Sequence, residues 1–106
     1  MTEIEIIDLI EKTLDKKMQQ NEDFIIYTYY EVNVDYQELS KKEDRKKFLN
    51  LLKTKLRNLK YDIYVAGEGF EYNGEKYTLE KNYELIAIKR KEDIKWKYLR
   101  KMKWIY

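Results

Sequence analysis

An α+β fold with the order α-β-α-β-β-α is predicted for this chain, and three observations predict it. Apolar residues recur at helical spacing in two long stretches, near residues 4–18 and 48–59. Phe24 to Val34, Tyr61 to Ala66 and Tyr83 to Lys89 are dense in Ile, Tyr, Thr and Val or in other apolar residues, the composition of strands. Between the last two lies an Asn-Gly pair set among alternating residues, a strong short-range hairpin signal.

The first helix begins at Thr2. Thr2 and Glu5 have the spacing of a capping box, in which hydroxyl and carboxylate satisfy orphan amides at the helix start. Ile7, Ile10, Leu14 and Met18 follow on one face, with Ile4 and Ile6 flanking, and Gln19, Gln20 and Asn21 end the helix. Its outer face (Glu3, Asp8, Glu11, Asp15) is acidic and solvated. Phe24 to Val34 is predicted as a strand. Its first half is apolar on both faces, which suits a covered, central strand. Farther along, Tyr30, Val32 and Val34 alternate with Glu31, Asn33 and Asp35, so one face reaches water. Ser40 and Glu43 form a second capping box ahead of a helix from about Lys41 to Lys60. There Phe48, Leu49, Leu52, Leu56 and Leu59 make an apolar stripe. Lys46, Asn50, Lys53, Arg57 and Lys60 lie within roughly 40° of a common direction, about 110° from the centre of that stripe. They form a cationic ridge directed away from the core.

Tyr61 to Ala66 is the next strand, and Gly67 and Gly69 then break or bulge the chain. In Phe70-Glu71-Tyr72-Asn73-Gly74-Glu75-Lys76-Tyr77, a type I′ turn at Asn73-Gly74 sets Phe70 across from Tyr77 and Glu71 across from Lys76. Tyr83 to Lys89 returns as a strand with Leu85, Ile86, Ala87 and Ile88 partly buried. The tail is predicted to be helical, with Ile94, Tyr98, Met102 and Ile105 on one side. The whole chain, 1–106, is expected to be a single domain. A core of 1–90 carries a protruding hairpin at 67–82 and a small antiparallel sheet packed on helices, and 91–106 is a basic C-terminal helix.

Composition removes several kinds of chemistry. Aromatic residues make up 15% of the chain, which argues against disorder. Cysteine and histidine are both absent, so no disulfide, no thiolate metal site and no imidazole base exist. Ser40 is the only serine and sits where a cap is expected. Gly67 and Gly69 lead into a hairpin rather than a helix, which excludes a phosphate-binding glycine loop. Carboxylates are plentiful, but no pair stands out as an acid–base site. The expectation is a binding protein rather than an enzyme, with no cofactor and no metal. No leader-like start and no apolar run long enough to span a bilayer occurs, so a cytoplasmic protein with no membrane partner is expected.

Net charge is only +2, but it is segregated. Residues 1–38 carry three Lys against ten carboxylates, whereas 39–60 carry nine Lys or Arg against two. Residues 61–88 are again acidic, and 89–106 carry eight basic residues against two acidic ones. Such segregation points to an anionic partner, or to blocks that neutralise one another inside the fold. Three features favour nucleic acid. The ridge Lys46, Lys53, Arg57 and Lys60 can sit against phosphates. The hairpin tip, Tyr72-Asn73-Gly74 with Lys76, Tyr77 and Lys81, can enter a groove, although Glu71 and Glu75 repel phosphate. In the tail, Lys89, Arg90 and Lys91 begin a basic run that interleaves with Trp96, Tyr98 and Trp104. Rigid hairpin and ridge, without an aromatic platform, favour double-stranded DNA over single strands. Asn73 and Lys76 are the candidates for contacts near bases, and the ridge and tail would position the protein. A protein-interaction module without nucleic-acid binding, such as a phage or plasmid adaptor or inhibitor, is the competing expectation.

Helix, strand, long helix ending at Leu59-Lys60-Tyr61, and then strand, hairpin and strand over 61–89 resembles a winged-helix variant. With its size and AT-rich composition, the chain resembles the small winged-helix accessory proteins that conjugative plasmids of low-GC Gram-positive bacteria encode. The resemblance covers residues 24–90. It implies a homodimer that binds DNA repeats at an origin of transfer and helps to assemble a relaxosome. It also implies DNA contacts at the wing, which here maps onto Tyr72, Asn73, Lys76 and Tyr77. The chain departs from the pattern in one respect: a winged helix has two short helices before its wing, whereas 41–60 reads as one long helix.

Overall fold

The computed structural model describes residues 1–90. Helix α1 spans Glu3–Gln20 and β1 spans Phe24–Thr28. A wide helical turn, Glu31–Asp35, and a tight one, Gln37–Leu39, lead into α2, Lys42–Asn58. Strands β2 (Tyr61–Val65), β3 (Gly69–Tyr72), β4 (Glu75–Thr78) and β5 (Tyr83–Lys89) follow. The class is α+β, with a small antiparallel sheet packed on helices. The predicted C-terminal helix lies outside the described residues.

Strand β5 is central, with β1 and β2 on either side and antiparallel to it. Both helices cover one face of this sheet. Ile25 and Tyr27 of β1, with Leu85 and Ala87 of β5, point into that layer and are buried. Phe48, Leu52 and Leu56 of α2 are wholly buried against them. Each such side chain contributes roughly 1.5–3 kcal/mol by leaving water. Tyr27 and Tyr61 are also sequestered, yet both hydroxyls are satisfied: Tyr27 shares a hydrogen bond with the Thr13 hydroxyl (2.9 Å), and Tyr61 donates to the Glu22 carbonyl (2.6 Å).

Several expectations hold and several need correction. The Thr2–Glu5 capping box forms, with the Glu5 amide donating to Thr2 Oγ1 and the Thr2 amide donating to Glu5 Oε1. The seam of α1, however, is Ile6, Ile10 and Leu14, not Ile7, which is 37% exposed. One residue is a 100° rotation, and the angle at which α1 meets α2 and β1 selects the face. Strand β1 ends at Thr28 rather than Val34. The Thr28 hydroxyl accepts from the Glu31 amide at 3.1 Å, and Glu31 Oε1 accepts from the Thr28 amide at 2.9 Å. That reciprocal pair starts a helical segment, in which Val32 and Leu39 are buried while Tyr30 and Val34 face solvent. Nor is β1 central; it is an edge strand, apolar on both faces because both are covered. Ser40 does not cap α2. Lys41 occupies the N-cap position without a side-chain bond, and the Arg45 guanidinium instead donates to the Leu39 and Ser40 carbonyls at 3.0 and 2.9 Å. Leu59 lies beyond the end of α2 and is 39% exposed.

The hairpin has the predicted register, Phe70 opposite Tyr77 and Glu71 opposite Lys76. Asn73 and Gly74 both take positive φ, 52° and 82°, as a type I′ turn requires. It does not stand clear of the domain. Phe70 lies 5.5 Å from Tyr64 of β2, and Tyr72 meets Phe24 of β1 edge-on at 5.4 Å. The hairpin therefore reaches from β2 toward β1 across the sheet face that the helices leave open, and Ile86 lies beneath it.

Candidate nucleic-acid interface

Helix α2 presents Lys46, Asn50, Lys53 and Arg57 as their spacing predicts, whereas Lys60 lies past the helix end at Asn58. Lys46, Asn50, Arg57 and Lys60 are exposed, and Lys53 is partly buried. From Lys46 to Arg57 the ridge runs about 16 Å along a rigid axis. Its charges are not neutralised by the acidic N-terminal stretch. The ion pairs of the described residues join the N-terminal amine to Asp44, Lys17 to Glu31, Lys55 to Glu11, and Arg90 to Asp62. Lys46, Lys53, Arg57 and Lys60 enter none of them. The single pair that links α2 to the acidic face of α1 uses Lys55, which lies off the ridge.

Lys53 leads into a cleft of about 450 Å³ between α2 and the connection from β4 to β5. Tyr29, Leu49, Lys53, Lys81, Tyr83 and Glu84 line it. Tyr29 reaches this place because the chain leaves the sheet at Thr28. Its amide donates to the Asn82 carbonyl and its carbonyl accepts from the Asn33 side chain, each at 2.9 Å, while the residue remains 55% exposed. Lys81 enters no ion pair among the described residues.

At the far end of α2, Lys60 adopts a left-handed conformation (φ 72°), and its carbonyl accepts from the Arg90 amide at 2.9 Å. Lys60, Lys89 and Arg90 thus share one end of the sheet. Lys89 Nζ stands 6.0 Å over the Tyr61 ring, and Arg90 Nε donates to Asp62 at 2.8 Å. Lys91 lies outside the described residues, as do Trp96 and Trp104.

The hairpin residues are placed elsewhere. Tyr72, Asn73, Lys76 and Tyr77 lie over the open face of the sheet, with the strands between them and α2. Tyr72 packs on Phe24, and Tyr77 stacks on Phe70 at 5.4 Å and donates to Glu75 at 2.8 Å. That bond, then slight burial and the Glu75 charge, raises the Tyr77 hydroxyl above its ordinary value. Lys76 is exposed opposite Glu71, on the outward side of the hairpin. The wing tip and the ridge, both candidates for DNA contact, do not share one surface. Alternation along β1 puts Phe24, and hence Tyr72, on the side opposite Ile25 and the helices.

The fold joins the α2 ridge with Lys60 and Lys89 at one end, and with Tyr29, Lys81 and Tyr83 at its middle, whereas Arg90 is paired with Asp62 on the hairpin side of the sheet. Tyr29 and Tyr83 were not singled out by composition, and Lys81 was seen only as part of the hairpin. The readable signal for Tyr29 is the capping pattern Thr28-Tyr29-Tyr30-Glu31, which ends the strand one residue before it. Among the described residues no cluster of acidic side chains is arranged to hold a metal, and no helix is long and apolar enough to cross a membrane. Comparison with protein families, characterised proteins and solved structures finds no match.

Proposed function

We propose that this chain binds double-stranded DNA without catalysing a reaction, through the exposed face of α2. One observation carries the reading: Lys46, Lys53 and Arg57 stand in a row on a rigid helix, with Lys60 just past its end, without carboxylate partners among the described residues. Lys81 and Lys89 extend the cationic surface at its middle and its end. The hairpin residues Asn73 and Lys76, on the other side of the sheet, contribute less than the wing analogy implies.

The more specific proposal is a winged-helix DNA-binding accessory protein of a mobile genetic element, acting as a homodimer in plasmid transfer or a similar process. Element order supports it, with β5 between β1 and β2 and a hairpin between β2 and β5. The turns Glu31–Asp35 and Gln37–Leu39 supply a short helical element before α2, which the strand expectation had hidden.

Fluorescence polarisation on labelled duplex over a salt series tests the reading. Four phosphate contacts give a log–log slope near −3.6, and Lys53→Ala/Arg57→Ala reduces its magnitude by about 1.8. Absence of binding at low salt, or indifference to that double variant, refutes it.

A second reading, a protein-interaction module, draws on a different surface. Ile4 and Ile7 of α1 and Met1 ahead of it are 73%, 37% and 38% exposed, a short apolar strip beside the acidic face. Recovery of one protein partner after nuclease treatment, lost in Ile4→Glu, would favour it.

A further inference from the structure

The cleft beside α2 has a composition that an intact duplex does not use. A paired base keeps both faces inside its own stack, so an exposed tyrosine ring gains little from it. An unpaired base offers a free face, and base–aromatic stacking together with lysine–phosphate contacts is how single-stranded nucleic acid is held. Tyr29 supplies such a ring, and its backbone is fixed on both sides by the bonds to Asn82 and Asn33. With the backbone fixed, only the side-chain torsions lose freedom when a ligand covers the ring. Tyr83 lines the same cleft, and Lys53 and Lys81 stand in it without carboxylate partners among the described residues. Glu84 repels a phosphate from its own side and can accept a hydrogen bond from a base amino or imino group. The volume, about 450 Å³, falls within the range of small-ligand sites, roughly 300–1,000 Å³.

We infer that this cleft seats one unpaired nucleotide, its base against Tyr29 and Tyr83 and its phosphate between Lys53 and Lys81. The protein then prefers a junction of double- and single-stranded DNA to an uninterrupted duplex. The inference deepens the DNA-binding reading and rests on it, because α2 must already lie along the duplex for a neighbouring nucleotide to reach the cleft.

Polarisation titrations with a blunt duplex and with the same duplex carrying a thymidine overhang separate the two. Wild type is expected to bind the overhang substrate about tenfold more tightly, the scale of one base–aromatic stack. Tyr29→Ala removes that advantage and leaves blunt-duplex affinity unchanged, whereas Tyr29→Phe retains it. Lys81→Ala, at an exposed loop position, reduces the advantage and guards against a folding defect in the tyrosine variant. Equal affinity of wild type for both DNAs overturns the nucleotide site while the duplex reading stands. Persistence of the advantage in Tyr29→Ala and Lys81→Ala overturns its placement in this cleft. Failure to bind either DNA overturns both readings.

Discussion

Replacing Glu31 with alanine is expected to destabilise the protein by about 2–3 kcal/mol, a large effect for a side chain that is not in the core. Four contacts disappear together. Glu31 accepts from the Thr28 amide (2.9 Å) and hydroxyl (3.1 Å), the Lys17 ammonium (2.7 Å) and the Tyr36 hydroxyl (3.1 Å). Loss of its half of the capping box costs about 1 kcal/mol. The Lys17–Glu31 pair, with side chains 19% and 24% exposed, lies between a surface pair and a buried one and adds about 1 kcal/mol. Stranding the Tyr36 hydroxyl adds roughly 0.5–1 kcal/mol. The control is Glu11→Ala, which breaks a pair with Lys55 whose side chains are 40% and 52% exposed and should change stability by less than about 0.5 kcal/mol. Urea denaturation followed by circular dichroism reads both, and the melting temperature should fall by roughly 8–15 °C in the first variant alone. Acid provides an internal check. Burial raises the Glu31 carboxyl, but the bonds from Lys17, Thr28 and Tyr36 outweigh it and hold the group below its ordinary value of 4.5. A carboxyl depressed in the folded state stabilises fully above the unfolded value and loses that contribution as pH falls through the lower folded one. The gap between wild type and Glu31→Ala must therefore narrow below about pH 4.5. A variant within about 0.5 kcal/mol of wild type at neutral pH, or a gap that widens in acid, would refute the account.

Two further changes probe the frame that holds the interface. Tyr27→Phe deletes a buried hydroxyl and leaves Thr13 without that partner, so denaturation should show a loss of about 1 kcal/mol. Burial keeps the Tyr27 hydroxyl neutral well past its ordinary value, so the loss should be constant across the neutral pH range, and a pH-dependent loss would count against it. At Gly74→Ala the new Cβ meets no atom within 4 Å, but φ is 82°, so the cost is purely conformational, about 1–2 kcal/mol. Because the tip of the hairpin docks through its aromatic face, that cost should appear as faster hydrogen exchange at Phe70–Tyr77 with β5 unaffected. Uniform acceleration would mean that the hairpin is integral to the core.

What could be read from sequence were the features decided within a few residues. The Thr2–Glu5 box, the two faces of α2 and the Phe70–Tyr77 register depend on spacings of three, four or seven residues, which helix and turn geometry translate directly into contacts. The same short-range logic was available at Thr28 and Glu31, where the pattern matches Thr2 and Glu5. The aromatic and β-branched content of 29–34 outweighed it and extended the strand past its true end. Two-sided apolarity in β1 was correctly visible as cover on both faces; it could not reveal that the second cover is a hairpin nearly fifty residues away in the chain rather than a second layer of helices.

Only the tertiary structure decided which cations share a surface. Lys53, Lys81 and Tyr29 come from three separate stretches, and they meet because β5 lies between β1 and β2 and so brings the ends of all three segments beside α2. The DNA reading required the wing and the ridge to share a surface. Strand alternation puts them on opposite sides, since Phe24 faces the hairpin and Ile25 faces the helices. Charge spacing along one helix is fixed by the sequence, but contiguity between elements depends on strand order and on which face each apolar residue buries, and those are settled by packing the whole domain at once.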